Sequence, residues 1–90
     1  MAGIWGMFDR IEADSQGTRW VHIKAVVSGG TTIRVRALIG KQTTVARGID
    51  RVDLSDLRAG EPIEVSYRHS CDGYLEADTI YVQPQRTAVG

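Results

Sequence analysis

The chain has little of several features that would point directly to a function. It contains one cysteine, Cys71, so neither a disulfide nor a cluster of thiolate metal ligands can form within one chain. No apolar run approaches the roughly 18 residues that a transmembrane helix requires. The N-terminus also lacks the basic region, long apolar run and cleavage site of a secretory signal. These absences predict a cytoplasmic protein with no membrane partner.

The chain also has no net charge, because 11 lysines and arginines balance 11 aspartates and glutamates. The charges are nevertheless unevenly spread. Residues 19–52 carry seven basic side chains and one acidic side chain, a sum of +6, whereas residues 1–18 sum to −2 and residues 53–90 to −4. The protein as a whole is therefore neither a polybasic nucleic-acid binder nor an acidic mimic, but its middle is basic and its C-terminal part is acidic.

Alternation of apolar and polar residues is the dominant pattern in the chain. Residues 20–26 and 32–39 both alternate, which predicts two half-buried strands. Gly29 and Gly30 lie between them and can adopt positive φ, which predicts a β-hairpin. The apolar residues of the two strands form one predicted inward row: Val21, Ile23, Ala25, Ile33, Val35, Ala37 and Ile39.

The register of this hairpin can be predicted from its loop. If Val27 faces Thr31, then Ile23 pairs with Val35 and Lys24 pairs with Arg34. Both apolar rows then lie on the same side of the sheet, as a buried face requires.

The second half of the chain contains another predicted hairpin. Residues 62–68 alternate with Ile63, Val65 and Tyr67 inward, and Asp72-Gly73 is a strong turn signal before a returning strand over residues 74–82. The apolar phase of that strand shifts by one residue near Asp78, which predicts a β-bulge.

The remaining segments complete a small barrel. We expect a first strand over residues 4–11, a short strand over residues 43–45 and a single helical turn within residues 53–60. Five or six short strands in 90 residues predict an all-β fold, an OB-like barrel first and an SH3-like barrel second. Residues 1–90 form one predicted domain, and residues 83–90 are a polar tail that we expect to be frayed.

Two motifs in the second half of the chain bear on the fold family. Residues 53–65 follow, with departures, a pattern of Asp-Leu, two residues, Gly-Asp and alternating valines, and residues 72–80 follow Asp-Gly-x-Leu-x-Ala-x-x-Ile. With residues 6–11 as an opening strand, these motifs resemble a bacterial family of OB-like barrels of unknown function. The pattern departs at Glu61, where an aspartate is usual, and through residues 28–50. The resemblance implies a binding or accessory module with no known reaction.

The charge pattern suggests a candidate binding surface. On the predicted register, the outward side of the first hairpin presents Trp20, His22, Lys24, Arg34 and Arg36. Cations beside an exposed aromatic ring suit single-stranded nucleic acid, because the cations bind phosphates and the ring stacks on bases. The alternative is an ordinary solvated strand face, with Trp20 closing one end of the barrel. The opposed Lys24 and Arg34 repel each other and require an acid, an anion or solvation.

Other candidate functions have less support from the sequence. The oppositely charged segments favour binding of a protein partner or self-association, although the patches can also neutralise each other within one molecule. His69 and Cys71 provide only two ligands, so we expect no metal and no cofactor. We also expect no enzyme. Trp5, Met7 and Phe8 form either a packed strand or a partner surface, and we favour the core. The prediction is a non-enzymatic interaction module, with single-stranded nucleic-acid binding as the alternative.

Overall fold

The structure, a computed structural model, describes residues 2–27 and 29–83. Its strands and single short helical turn are, in chain order, β1 (Ala2–Ala13), β2 (Arg19–Val26), β3 (Thr32–Arg47), β4 (Asp50–Arg51), a 3-10 turn (Leu54–Asp56), β5 (Pro62–His69) and β6 (Leu75–Val82). The predicted tail lies outside the described residues except for Gln83. No helix in the described ranges is long and apolar enough to cross a bilayer.

Five of the strands close into a barrel. The order around it is β1-β2-β3-β6-β5, and β5 pairs with β1 to complete the circle. β3 and β6 are parallel, the other pairs are antiparallel, and β4 adds a short bridge to the end of β3. The predicted all-β barrel with one short helical turn is confirmed, and its arrangement is consistent with an OB-like barrel.

The first hairpin has the predicted register. Ile23 pairs with Val35 and Lys24 pairs with Arg34, and the Val27 amide donates to the Thr31 carbonyl at 2.8 Å. The glycines of its loop have φ values of +90° and +80°. Because these contacts are local and the alternation is strict, the sequence was sufficient to predict them.

The core consists of the inward rows of the five barrel strands, closed by Leu57 after the 3-10 turn. Ile23, Ile63, Val65 and Ile80 are completely buried. Ile33 is a correction, since it was predicted to lie in the buried row and is 44% exposed. The pairing of β1 with β2 ends at Lys24, so the tip of the β2–β3 hairpin has no strand beside β2.

β3 is longer than predicted. The predicted short strand over residues 43–45 is the second half of one 16-residue strand, which pairs first with β2 and then with β6. The strand bends between Ile39 and Thr44, where its register with β6 is irregular. Thr43 holds this bend, because its hydroxyl accepts from the Gly40 amide at 2.9 Å and donates to the Ala77 carbonyl at 2.7 Å.

Two other irregularities shape the barrel. The predicted bulge in β6 is confirmed, because Ser66 pairs with Thr79 and Tyr67 with Ala77, which leaves Asp78 as the extra residue. A second bulge in β1 lies at Asp9, between residues that pair with successive positions of β2. Bulges of this kind bend a strand and increase its twist, as the closure of a small barrel requires.

Candidate functional site

The four basic candidates lie together on the outer side of β2 and β3. We call His22, Lys24, Arg34 and Arg36 the basic face. His22 pairs with Arg36 and Lys24 pairs with Arg34, and paired residues on adjacent strands share a face. The sequence therefore correctly brought these four side chains together.

Acidic side chains of β1 border the basic face. The Glu12 carboxylate lies 3.0 Å from His22 Nε2, and the Asp9 carboxylate lies 4.0 Å from Lys24 Nζ. The bulge at Asp9 thus places a carboxylate beside Lys24, which lies opposite Arg34 and is repelled by it. Arg34 itself has no carboxylate within 4.0 Å in the described parts of the chain. The face is only partly neutralised, with Arg34 as its least compensated cation.

Trp20 requires a correction, because it was predicted as an exposed stacking ring and is only 7% exposed. The Arg36 guanidinium lies 4.4 Å from the centre of its ring, and the Tyr74 ring packs edge-on at 5.5 Å. The indole Nε1 donates to the Asp14 carboxylate at 3.4 Å. The indole is therefore covered from the β1–β2 turn, from β3 and from the β5–β6 turn, and the chain's own arginine occupies the ring face that a base would need.

Asp14 organises the turn between β1 and β2. Its Oδ1 accepts from the amides of Gln16 and Thr18 at 2.9 and 3.0 Å. Desolvation raises the pKa of the Asp14 carboxyl, but the two amide hydrogen bonds, the Trp20 indole and the Arg36 charge together lower that pKa below its ordinary value. The carboxylate form is therefore the one that holds the turn against Trp20.

A second surface, on the outer side of β1, β5 and β6, is apolar. We call its four exposed side chains, Trp5, Met7, Pro62 and Tyr81, the apolar face. Trp5 is 60% exposed, Met7 43% and Tyr81 44%. They lie on the outer side of three neighbouring strands, because Trp5 pairs with Glu64, Glu64 with Tyr81, and Met7 with Pro62. Glu64 places a negative charge in the middle of this surface.

The apolar face extends towards the β3–β4 turn. A shallow groove of about 260 Å³ is lined by Gly48, Glu64 and Tyr81. Next to Gly48, at the tip of that turn, Ile49 is completely exposed. Single exposed apolar residues are common, but adjacent aromatic and thioether side chains on one sheet face are typical of protein-binding surfaces.

The sequence interpretation offered a partner surface for this segment but favoured the core. Trp5, Met7 and Phe8 were assigned together to the core, and the assignment is right for Phe8, which is 6% exposed, and wrong for the other two. The signal was present in the alternation of β1. Ile4, Gly6 and Phe8 share the inward phase, so Trp5 and Met7 had to point outward.

His69 and Cys71 lie near the β5–β6 turn, and both are exposed. His69 packs edge-on against Tyr67 with ring centres 5.8 Å apart. Within residues 2–27 and 29–83, no three histidine, cysteine or acidic side chains come together as a group that could hold a metal ion.

Comparisons of this chain with protein-family models, with curated proteins and with solved structures each gave no match.

Proposed function

We propose that this chain is a non-enzymatic interaction module that binds a protein through its apolar face, with a second copy of the chain as the first partner to test. One observation carries the proposal: Trp5, Met7 and Tyr81 are exposed on the same outer face, on β1 and β6 to either side of β5. Tryptophan, tyrosine and methionine are enriched at protein interfaces, because they bury a large area at a small cost in conformational entropy.

Electrostatics support a partner with basic groups beside an apolar surface. Glu64 lies between Trp5 and Tyr81 and requires a positively charged neighbour when the face is covered. A second copy offers such a group, since Lys24 pairs with Met7 at the margin of the same face. An arrangement that places Glu64 of one copy against Lys24 of the other would satisfy both charges.

We extend the proposal to the family and the cellular location of the chain. The motifs in residues 53–65 and 72–80 support membership of a bacterial family of small barrels of unknown function, and such a family fits an accessory role. A cytoplasmic location is consistent with the single cysteine.

Single-stranded nucleic-acid binding through the basic face is the second candidate function. It is favoured by Arg34, which is exposed and lies among three other basic groups. It ranks below protein binding for two reasons. Trp20 is covered by Arg36 and Tyr74, and Asp9 and Glu12 reduce the positive potential that phosphates require.

The test compares the parent with a Trp5→Ser/Tyr81→Ser variant and with Tyr74→Ser, whose side chain is 46% exposed but lies off the apolar face. We expect the sedimentation-equilibrium mass of the parent to rise above the 9.9 kDa monomer with concentration. Losing two aromatic anchors should weaken association by about 700-fold, since each hot-spot residue contributes about 2 kcal/mol. Tyr74→Ser should associate like the parent.

These proteins, together with one further variant, distinguish self-association from nucleic-acid binding. A parent that stays monomeric at every concentration would contradict self-association. Binding of a labelled oligonucleotide that falls steeply with salt and is lost in Arg34→Ala/Arg36→Ala, but not in Trp5→Ser/Tyr81→Ser, would favour the basic face instead. An apolar contact should depend only weakly on salt.

A further inference from the structure

A cavity at one end of the barrel belongs to neither face. Its volume is about 530 Å³, and it opens between the start of β2, the second half of β3 and the segment that follows β4. Two arginines line it, Arg19 and Arg51, together with the Ser55 hydroxyl. Its size is within the range of small-molecule sites.

The positions of both arginines follow from the fold. Arg19 continues the inward row of Val21 and Ile23, but it lies at the first position of β2 and is exposed. Arg51 pairs with Ala46 in the β3–β4 bridge, and the Val52 amide donates to the Val45 carbonyl at 3.0 Å. The backbone on this side of the cavity is therefore fixed by hydrogen bonds.

Arg19 and Arg51 differ from the arginines that form salt bridges within the chain. Arg47 donates to the Glu61 carboxylate at 3.0 Å, and Arg68 lies 3.3 Å from Glu76. Arg19 and Arg51 have no carboxylate within 4.0 Å among residues 2–27 and 29–83. Asp53 also lines the cavity, so the charge of the lining is +1. Both guanidinium groups remain able to bind an external anion.

The other polar groups define what kind of ligand fits. The Thr43 and Thr44 hydroxyls are engaged with the Ala77 carbonyl and the Thr79 hydroxyl, so they form a wall and do not serve as free donors. Val45 and Val52 supply apolar surface beside them. A site with two arginines on an apolar floor recognises a negatively charged head attached to an apolar body.

We propose that this cavity is a binding site for a small organic anion, a phosphate monoester or a carboxylate, held by Arg19 and Arg51. The Ser55 hydroxyl donates to the same head group, and the apolar part of the ligand contacts Val45 and Val52. The inference is independent of the apolar face and does not rest on protein binding.

The test is an NMR titration of the ¹⁵N-labelled protein with inorganic phosphate, phenyl phosphate and benzoate at constant ionic strength. We expect saturable shifts confined to amides around the cavity, such as Val45, Val52 and Ser55. Whichever of phenyl phosphate and benzoate binds more tightly identifies the preferred head group. If phenyl phosphate binds more tightly than inorganic phosphate, the apolar floor contributes to binding.

Substitutions then assign the site. Arg19→Gln and Arg51→Gln should each weaken binding by about tenfold, the value of one charge-assisted hydrogen bond. Arg58→Gln removes the same charge from an exposed arginine outside the cavity and should bind like the parent. The proposal would be overturned by shifts that do not saturate or that spread over all basic residues. Binding that is unchanged in both cavity variants would also overturn it. Matching circular dichroism spectra would show that the variants are folded.

Discussion

Gly6 lies where β1 leaves β5 and turns towards β2. Its neighbour Met7 pairs with both strands, so β1 is flanked by β5 and β2 at this point. A Cβ atom on Gly6 would overlap the Lys24 carbonyl oxygen and come within 2.8 Å of Ile23 Cγ2. Glycine is required here by the close approach of two backbones and not by an unusual φ.

We therefore expect Gly6→Ala to lower the free energy of unfolding by about 2–3 kcal/mol, a typical cost of overpacking a well-packed core. Urea denaturation measures the effect. Gly40→Ala is the matched control, since a Cβ there meets no atom within 4 Å. Equal stability of the two variants would show that β1 can shift away from Lys24 at little cost.

Asp14 provides a prediction about pH. Because the folded state lowers the pKa of its carboxyl, its stabilising contribution is present above the pKa of the unfolded chain and is lost as the pH falls through the folded value. The difference in unfolding free energy between the parent and Asp14→Asn should be largest at neutral pH and should shrink in acid. Denaturation across the acid range measures it, with Asp72→Asn as the control. A difference that is constant with pH would contradict the assigned role.

Trp20 shows where the sequence was insufficient to predict the exposure of a side chain. Alternation correctly placed Trp20 in phase with His22 and Lys24, but phase does not report exposure. Its cover comes from Arg36 on the next strand and from Tyr74, more than fifty positions away in the chain. Contacts of that range depend on how the two hairpins dock, and no local pattern encodes it.

Elements formed by local contacts could be predicted, and elements formed by distant contacts could not. Both hairpins and the bulge at Asp78 follow from turn residues and alternation within short segments. The length of β3 did not follow, because most of the pairing of its second half is parallel, with β6. Parallel neighbours require long connections, so the sequence around residues 43–45 contains no signal for this partner.

Thr43 is the residue that connects the bend of β3 to β6. Thr43→Val keeps the shape of the side chain but removes the hydrogen bonds to the Gly40 amide and the Ala77 carbonyl. We expect a loss of about 1–3 kcal/mol in the free energy of unfolding, since partly buried polar groups lose their partner. Thr32→Val, in an exposed part of the same strand, should have little effect. The bend does not depend on the hydroxyl if the two variants unfold alike.

At the scale of the whole molecule, the charge separation seen in the sequence is partly resolved within the monomer. Lys24 lies beside Asp9, and Arg47 binds Glu61, so cations of the middle segment contact acids from both ends of the chain. The sequence offered internal neutralisation and self-association as alternatives. The cations left without a nearby acid in the described ranges include Arg19, Arg34 and Arg51, and two of these line the end cavity.

Closure of the barrel predicts that the two hairpins unfold together. Each contributes one side of a single core, in which Ile23 from the first hairpin and Ile63, Val65 and Ile80 from the second are completely buried. Opening either hairpin would expose the buried row of the other, at about 25 cal/mol for each Å² of apolar surface. The slowest-exchanging amides of β2 and of β5 should therefore report the same opening free energy by hydrogen exchange. If β5 and β6 stay protected after β2 has exchanged, the core is divided into two units and the closing pair β3–β6 contributes little to cooperativity.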